Sequence, residues 1–420
     1  MSDIGIMLDI LIRGGIMKKI ASLMLGAALF CGLNASFGNL YVAKAEKVEK
    51  YVLNCMEFAK INDTQSLQTQ GKASYLMDFD SQTVIYAKNE RERLPIASMC
   101  KIMTLLLSFE ALEREDFKLD DEICISERAA SMGGSQVFLE AHAKYPVKEL
   151  IKSIIVCSAN DSCVAMAEKI SGSENIFVEK MNEKAKELGC TDTLFANCTG
   201  LPKEPQYSCA KDVAIMLKSL LNHELYFELG KVWMDKFEHP GGRYTEITNT
   251  NKLVRFYDGC DGGKTGFTNE AGFCLAATAK RDNMRVISVV IGEKTSGERF
   301  DDVRTMFDYA FANYTVVPIF QSKQPLEEKV YVNGGKKESI GAYPQRDVFI
   351  FVKRGEKGDV TFEKRIEPLR APIKKEDKIG ELILFRDGVE LKRVDLLAKE
   401  DVKAASVMDR LKKIARNWNG

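Results

Sequence analysis

One short segment sets the organisation of the chain: Pro95-Ile96-Ala97-Ser98-Met99-Cys100-Lys101-Ile102-Met103-Thr104-Leu105. Residues three apart share a helix face, so a helix beginning here places Ser98 beside Lys101. A lysine that loses its proton easily can act as the base that activates a serine hydroxyl. The residues that follow are apolar on nearly all sides, which predicts a buried helix with this pair at the floor of a site.

This spacing of serine and lysine also occurs by chance, and Ser208-Cys209-Ala210-Lys211 is a second copy. That copy fits the first turn of a helix over residues 208–222, where Ser208 and Asp212 suit the cap region. Two further motifs in chain order distinguish the first copy: Ser158-Ala159-Asn160 and Lys264-Thr265-Gly266. The glycines around Lys264-Thr265 predict close approach of another backbone, as an extended substrate on a strand edge requires.

Composition narrows the class of protein. The chain has 420 residues, 45% hydrophobic and 29% charged, with 60 basic and 60 acidic side chains. That describes a globular protein with sizeable cores, and no basic stripe with interleaved aromatics favours a nucleic-acid partner. The three histidines have no ligand spacing and no Cys-x-x-Cys occurs, so neither a metal nor another cofactor is expected. We expect the scattered cysteines to be mostly free, buried thiols.

The N-terminus predicts export. Met17-Lys18-Lys19 is a basic start, residues 20–33 are mostly apolar, and Ala43-Lys44-Ala45 is a small-x-small cleavage site. We therefore expect residues 1–45 to be a signal peptide cleaved after Ala45, with Met17 as the true start. An uncleaved membrane anchor is the alternative, although the apolar run is short for a span. The mature protein would be extracytoplasmic.

Three regions are expected after the signal. Residues 46–317 combine a hairpin at 73–87, a mostly helical stretch at 105–200, β-rich sequence at 244–315 and a closing helix at 300–314. Residues 318–397 contain short strands broken by Gly, Pro and Asp, which predicts a small all-β domain. Residues 398–420 predict an amphipathic helix with many basic side chains, suited to a membrane interface. A helix packed on its own domain is the alternative there.

The ordered trio of motifs is typical of serine β-lactamases and penicillin-binding proteins. The chain resembles the low-molecular-mass penicillin-binding proteins, which are serine-type D-Ala-D-Ala carboxypeptidases, over residues 73–315 and into the β domain. This resemblance implies an α+β fold with an antiparallel sheet flanked by helices, followed by the small all-β domain. It also implies a membrane-anchoring tail, at the outer face of the cytoplasmic membrane.

The resemblance further implies a mechanism. Ser98 would attack the bond between the two D-alanines of the peptidoglycan stem pentapeptide, with Lys101 as general base, its pKa lowered by desolvation and by the charge of Lys264. Ser158 would relay a proton to the leaving D-alanine, and Asn160 would hold the substrate amide. β-Lactam antibiotics would trap the acyl-enzyme. The remaining implied roles are the terminal carboxylate site, from Lys264, Thr265 and Thr268 on the Gly266 strand, and the oxyanion hole, from the backbone N–H groups of Ser98 and Phe267.

Two positions depart from the family pattern. Phe267 stands where many members have histidine, and Thr250 stands where some have a carboxylate-binding arginine. A class A β-lactamase is a rival, but Glu204 is followed by Pro205 and lacks the sequence setting of a deacylating glutamate. A non-catalytic peptidoglycan-binding scaffold is a second rival, and the presence of every catalytic side chain weighs against it.

Overall fold

A computed structural model describes residues 67–326, 329–356, 360–409 and 411. The predicted signal peptide, residues 1–45, lies outside the described residues, as does most of the predicted tail helix. Among the described helices, none is both long and apolar enough to cross a lipid bilayer.

The helices are given first, in chain order: α1 (Lys101–Glu113), α2 (Glu127–Ala130), α3 (Val147–Val156), α4 (Asn160–Ser171), α5 (Glu174–Glu187), α6 (Ala210–Leu220), α7 (Glu224–Gly230), α8 (Leu253–Phe256) and α9 (Ser296–Asn313). The strands up to residue 293 are β1 (Ala73–Asp78), β2 (Val84–Lys88), β3 (Glu122–Cys124), β4 (Lys144–Pro146), β5 (Met234–Glu238), β6 (Tyr244–Thr248), β7 (Cys260–Thr268), β8 (Gly272–Arg281) and β9 (Met284–Glu293).

The principal sheet is antiparallel, with the strand order β2-β1-β9-β8-β7. Successive side chains of a strand point to opposite faces, and the central strand β9 is apolar on both. Ile287 and Val289 belong to the core cluster that includes α1, α3, α4 and α6, whereas Val286 and Val290 pack in the cluster of α9. Helices therefore cover both faces of the sheet, and the predicted α+β class is confirmed. Strand β7 forms one edge.

Three local predictions need correction. The closing helix begins at Ser296 rather than at Phe300, because Thr295 and Glu298 form a reciprocal capping box. The stretch 105–200 is less helical than expected, since β3 and β4 pair within it. The cap of α6 is Cys209, whose sulfur accepts from the backbone N–H of Asp212.

From residue 314 to 398 every described element is a strand: β10 (Tyr314–Phe320), β11 (Lys329–Asn333), β12 (Ser339–Pro344), β13 (Val348–Lys353), β14 (Val360–Arg365), β15 (Leu369–Arg370), β16 (Lys378–Arg386) and β17 (Val389–Ala398). β10 pairs with β13, and a six-stranded sheet has the order β14-β16-β17-β12-β11-β15. The described residues divide into two compact units: one runs to Lys329 and includes 341–356, and the other comprises Val330–Ile340 and the residues from 360 onward. The domain limits given above stay predictions.

The described cysteines are all free thiols. Cys124 is exposed and Cys157 is half-buried, while the other seven are buried: Cys100, Cys163, Cys190, Cys198, Cys209, Cys260 and Cys274. The expectation of mostly free, buried thiols is confirmed for these nine.

Candidate active site

Ser98 lies in a tight turn directly before α1. The turn Ala97–Cys100 is a 3₁₀ helix, and Ala97 has a left-handed backbone with φ of 46°. Such strain in a residue other than glycine is concentrated at functional sites. Lys101 is the first residue of α1, and its Nζ lies 2.9 Å from Ser98 Oγ. The structure thus brings the predicted pair into direct contact.

A loop at residues 197–201 orients the lysine from the other side. Lys101 Nζ donates to the carbonyl oxygen of Thr199 at 2.5 Å. Asn197 Oδ1 shapes this loop by accepting from the backbone N–H groups of Thr199 and Gly200, at 3.1 and 2.7 Å. Gly200 has φ of 82°, and a Cβ there would overlap the carbonyl oxygen of Ala97. The glycine is therefore required for this close approach.

Ser158 and Asn160 lie where α3 gives way to α4. Ser158 is buried in a left-handed conformation with φ of 65°, and its Oγ has no hydrogen-bond partner among the described residues. Asn160 donates from Nδ2 to the carbonyl of Gly133 and from its backbone N–H to the carbonyl of Ser135, both at 2.7 Å. These bonds leave Asn160 Oδ1 as an acceptor.

The third motif lies on the edge strand β7. Gly266 sits against the serine turn: a Cβ there would lie 2.6 Å from the carbonyl oxygen of Ile96 and 3.2 Å from the backbone nitrogen of Ser98. The backbone that approaches Gly266 is the chain's own serine turn, and pairing of an extended substrate with the strand edge stays a prediction. Lys264 is buried, and the hydroxyl of Thr265 donates to that of Thr250 at 2.8 Å.

Burial dominates the electrostatics of the two lysines. It lowers the pKa of Lys101, which is wholly buried. Burial first, and then the positive charge of Lys101, lowers the pKa of Lys264 from 10.5 to about 7. Two ammonium groups in one dry pocket are unfavourable, so near neutral pH the pair readily holds a free amine. The expected lowering of the Lys101 pKa is present, and its cause is desolvation, whereas charge repulsion contributes to the lowered pKa of Lys264.

The end of β7 carries the other predicted residues. The ring of Phe267 is half exposed and stacks on Phe273 with centroids 4.3 Å apart. The oxygen of the Thr268 hydroxyl accepts from the backbone N–H of Ala271, in the turn to β8. Both residues directly follow the Lys264-Thr265-Gly266 motif, and the Thr268 hydroxyl oxygen already accepts the hydrogen bond from Ala271.

Arg299 of α9 is a residue that sequence inspection missed. Its Nη1 donates to the carbonyl oxygen of Gly266 at 3.2 Å, and burial lowers its pKa to about 10. Its charge also contributes to the lowered pKa of Lys264. Nothing in the local sequence of α9 singled it out. Within the described residues, no three His, Cys, Asp or Glu side chains are grouped to hold a metal ion.

The site combines a serine in contact with a buried amine, a second buried serine and a strand packed on the first serine's turn. This arrangement is typical of acyl-transfer enzymes that use a serine. The chain matches the D-alanyl-D-alanine carboxypeptidase family over residues 60–295 and the penicillin-binding protein 5 C-terminal domain over residues 314–404. It therefore belongs to the D-alanyl-D-alanine carboxypeptidase family.

Individual relatives agree with this assignment. The chain is 44% identical to the D-alanyl-D-alanine carboxypeptidase DacF of Bacillus subtilis, over 84% of its own length and 92% of the relative's. Penicillin-binding protein 5 from Haemophilus influenzae has a similar structure, with a TM-score of 0.65, 29% identity and coverage of 81% of this chain and 99% of that one. PBP3 from Streptococcus pneumoniae has a TM-score of 0.69, 26% identity and coverage of 80% and 100%.

The predicted activity is thereby confirmed at the level of the family: the protein is a serine-type D-Ala-D-Ala carboxypeptidase, a hydrolase of the cell wall. Neither the β-lactamase nor the non-catalytic scaffold is favoured by these comparisons.

Proposed function

We propose that Ser98 is the nucleophile and Lys101 its general base in the removal of the terminal D-alanine from stem pentapeptides. The observation that carries this proposal is the 2.9 Å contact between Lys101 Nζ and Ser98 Oγ. A neutral Lys101 has two N–H groups and a lone pair. It can donate to the carbonyl of Thr199 while its lone pair takes the proton of Ser98.

The reaction has two stages, acylation of Ser98 and hydrolysis of the acyl-enzyme. Ser98 Oγ bonds to the carbonyl carbon of the penultimate D-alanine, and its proton passes to Lys101. The backbone N–H groups of Ser98 and Phe267 stabilise the oxyanion. The C–N bond then breaks, and the leaving amine of D-alanine receives, through Ser158, the proton that Lys101 took from Ser98, so that Lys101 is neutral again. Water hydrolyses the ester, which releases the shortened peptide and restores the Ser98 hydroxyl.

Ser158 suits the relay because its Oγ is buried without a hydrogen-bond partner among the described residues. A buried hydroxyl left unpaired costs free energy, and a substrate amine would supply the missing partner. Asn160 is fixed through its Nδ2, so its Oδ1 presents an acceptor to a substrate amide N–H. Asn160 would thereby set the position of the acyl half of the substrate.

The terminal carboxylate would bind at Lys264, Thr265 and Thr268. The Thr265 hydroxyl points to Thr250, so the site where some relatives use arginine holds a pair of hydroxyls here. In this arrangement the Thr250 hydroxyl can donate to a carboxylate, the Thr265 hydroxyl can donate to it by turning away from Thr250, and Lys264 would supply charge. The Thr268 hydroxyl can add its proton while its oxygen keeps the bond from Ala271.

Penicillins acylate the same serine in this proposal, because their strained amide presents a carbonyl and a carboxylate to the same groups. The name of the Haemophilus relative says that it binds penicillin. The substrate lies in the cell wall, so the protein would act outside the cytoplasm after export. Residues 398–420 would hold it to a membrane surface. Comparing the full chain with one ending at residue 397 in membrane fractions tests this part, and unchanged fractionation would contradict it.

Mass spectrometry tests the catalytic assignment. The mature protein should form a penicilloyl adduct on Ser98 and release one D-alanine from a peptide ending in Lys-D-Ala-D-Ala. Ser98→Ala should abolish both. Ser208→Ala is the matched control, since it removes the serine of the second Ser-x-x-Lys copy, and it should keep both activities. Adduct formation in Ser98→Ala would refute the assignment.

A further inference from the structure

The loop at residues 133–140, here called the Asn160 loop, holds the second catalytic motif in place. Besides accepting two bonds from Asn160, it donates to the buried carboxylate of Asp161. The backbone N–H groups of Val137 and Leu139 each lie 3.1 Å from Asp161 Oδ2. Any shift of this loop must therefore move the side chain of Asn160.

The β5–β6 hairpin also forms hydrogen bonds to the Asn160 loop. Thr245 Oγ1 donates to the carbonyl oxygen of Val137 at 3.2 Å, and Arg243 Nη2 donates to that of Phe138 at 3.0 Å. Phe138 is left-handed, with φ of 64°. A bulky residue keeps this conformation only when its surroundings hold it, and these bonds flank the strained residue.

His239 connects the hydrogen bonds of this hairpin to the hydroxyl of Tyr145. Its Nε2 is 2.9 Å from Thr245 Oγ1, and its Nδ1 is 3.0 Å from the hydroxyl of Tyr145. The Thr245 hydroxyl already donates to Val137, so its oxygen accepts from His239 Nε2–H. The Tyr145 oxygen accepts from the backbone N–H of Glu140 at 3.3 Å, so its proton goes to His239 Nδ1. Every donor and acceptor is used once, and only the neutral ring with its proton on Nε2 completes the chain.

We propose that neutral His239 is a positioning residue for the reaction, which fixes the Asn160 loop through Thr245 and Tyr145, and that its protonation loosens this loop. A proton on Nδ1 removes the acceptor of the Tyr145 hydroxyl, inside a buried, largely aromatic setting with Phe237. An unpaired buried hydroxyl is unfavourable, so Tyr145 must turn away. The proposal rests on the role given above to Asn160.

The surroundings of His239 favour the neutral ring. Burial first, and then the positive charge of Arg243, lowers the pKa of His239, whereas Glu140 raises it. Arg243 is on the same hairpin, and Glu140 and Tyr145 face the ring from the Asn160 loop and β4. Arg243 is itself paired with Glu140 at 2.8 Å, which limits the effect of either charge. The loosening is therefore expected only at acidic pH.

The test measures the rate of Ser98 acylation by a fluorescent penicillin from acidic to alkaline pH. Thr245→Val keeps the side-chain shape and removes the hydroxyl that links His239 Nε2 to the carbonyl of Val137. His239→Gln offers an amide that can donate to Thr245 and accept from Tyr145 but does not titrate. The chain has three histidines, so His142→Gln and His223→Gln are matched controls, and each ring can be followed by NMR.

Thr245→Val should lower the acylation rate about tenfold at neutral pH, which is the effect of losing one buried hydrogen bond. If the variant still reaches the same final amount of penicilloyl adduct as the wild type, it is folded. The ratio of wild-type to His239→Gln rates should be constant at high pH and fall at low pH. Dividing the rates cancels the titration of Lys101 and Lys264, which both proteins share. The midpoint of the fall should equal the pKa of His239 found by NMR, while the two controls follow the wild type.

Two results would overturn the positioning role: wild-type acylation in Thr245→Val, or a rate ratio that does not change with pH. Asn160→Ala separates this failure from failure of the proposed function. If Asn160→Ala is impaired and Thr245→Val is not, His239 has no positioning role and the assignment of Asn160 stands. If Asn160→Ala acylates normally, the assignment of Asn160 itself is wrong.

Discussion

Replacing Gly266 by alanine perturbs the contact between β7 and the turn Ala97–Cys100 that carries Ser98. The added Cβ would lie 2.6 Å from the Ile96 carbonyl oxygen, 3.2 Å from Ala97 Cβ and 3.2 Å from the Ser98 backbone nitrogen. Ordinary contact begins at 3.4 Å, so the strand and the turn must separate by about 0.8 Å, the difference between 3.4 and 2.6. The neighbours are mostly backbone, which cannot rotate away as a side chain would.

The expected cost follows from where this movement falls. The Ser98 N–H belongs to the proposed oxyanion hole, and the Phe267 N–H follows Gly266 directly, so the two donors would move apart. Misplacing catalytic groups by about 1 Å lowers a rate by roughly a hundredfold, equivalent to about 3 kcal/mol in the barrier. We expect Gly266→Ala to slow acylation by that order.

The assay is the second-order rate of acylation by a fluorescent penicillin, alongside the melting temperature. Gly297→Ala is the matched control, because a Cβ there would meet only Thr295 Oγ1, at 3.8 Å, within α9. It should acylate normally and be slightly more stable. A Gly266→Ala protein that acylates within about threefold of wild type would refute the argument that this close approach sets the reaction centre.

Two further predictions concern pH. The pKa of Lys264 is about 7 and that of Lys101 is also lowered, so both amines become protonated as the pH drops below about 7. The acylation rate should therefore fall below about pH 7. A rate that already falls at a much higher pH would contradict the shared pocket. Burial, and then Asp302, raises the pKa of Glu293 from 4.5 to about 8, so its contribution to stability is complete below about pH 4.5 and is lost as the pH rises through about 8. Glu293→Gln should flatten the fall in melting temperature over that range, and an unchanged slope would exclude this residue as its source.

Much of the site was predictable because its motifs are local. Ser98 and Lys101 are three residues apart where a 3₁₀ turn leads into α1, and Ser158 and Asn160 are two residues apart at the start of α4. Each pair therefore lies in one short segment that spacing alone identifies. Lys264 could be singled out only through the ordered set of motifs, since a single lysine in a strand carries little information.

What the sequence did not reveal depends on contacts between distant segments. The carbonyl of Thr199 has no side-chain identity, so no pattern marks it as the partner of Lys101. Arg299 reaches Gly266 only because α9 packs on the sheet. The start of α9, in contrast, depends on local sequence alone. Thr295 and Glu298 form a capping box that was visible in the sequence and was overlooked.

The reactivity of the cysteine thiols can measure how often different parts of the protein open to solvent. Cys124 is open to solvent, whereas the thiols of Cys163 and Cys260 are buried in different clusters of the interior. A thiol reagent should modify the first at once and the others only when the surrounding segments open. With each modified cysteine identified by peptide mapping, labelling would time the opening of the helical core separately from that of the sheet, without any introduced probe.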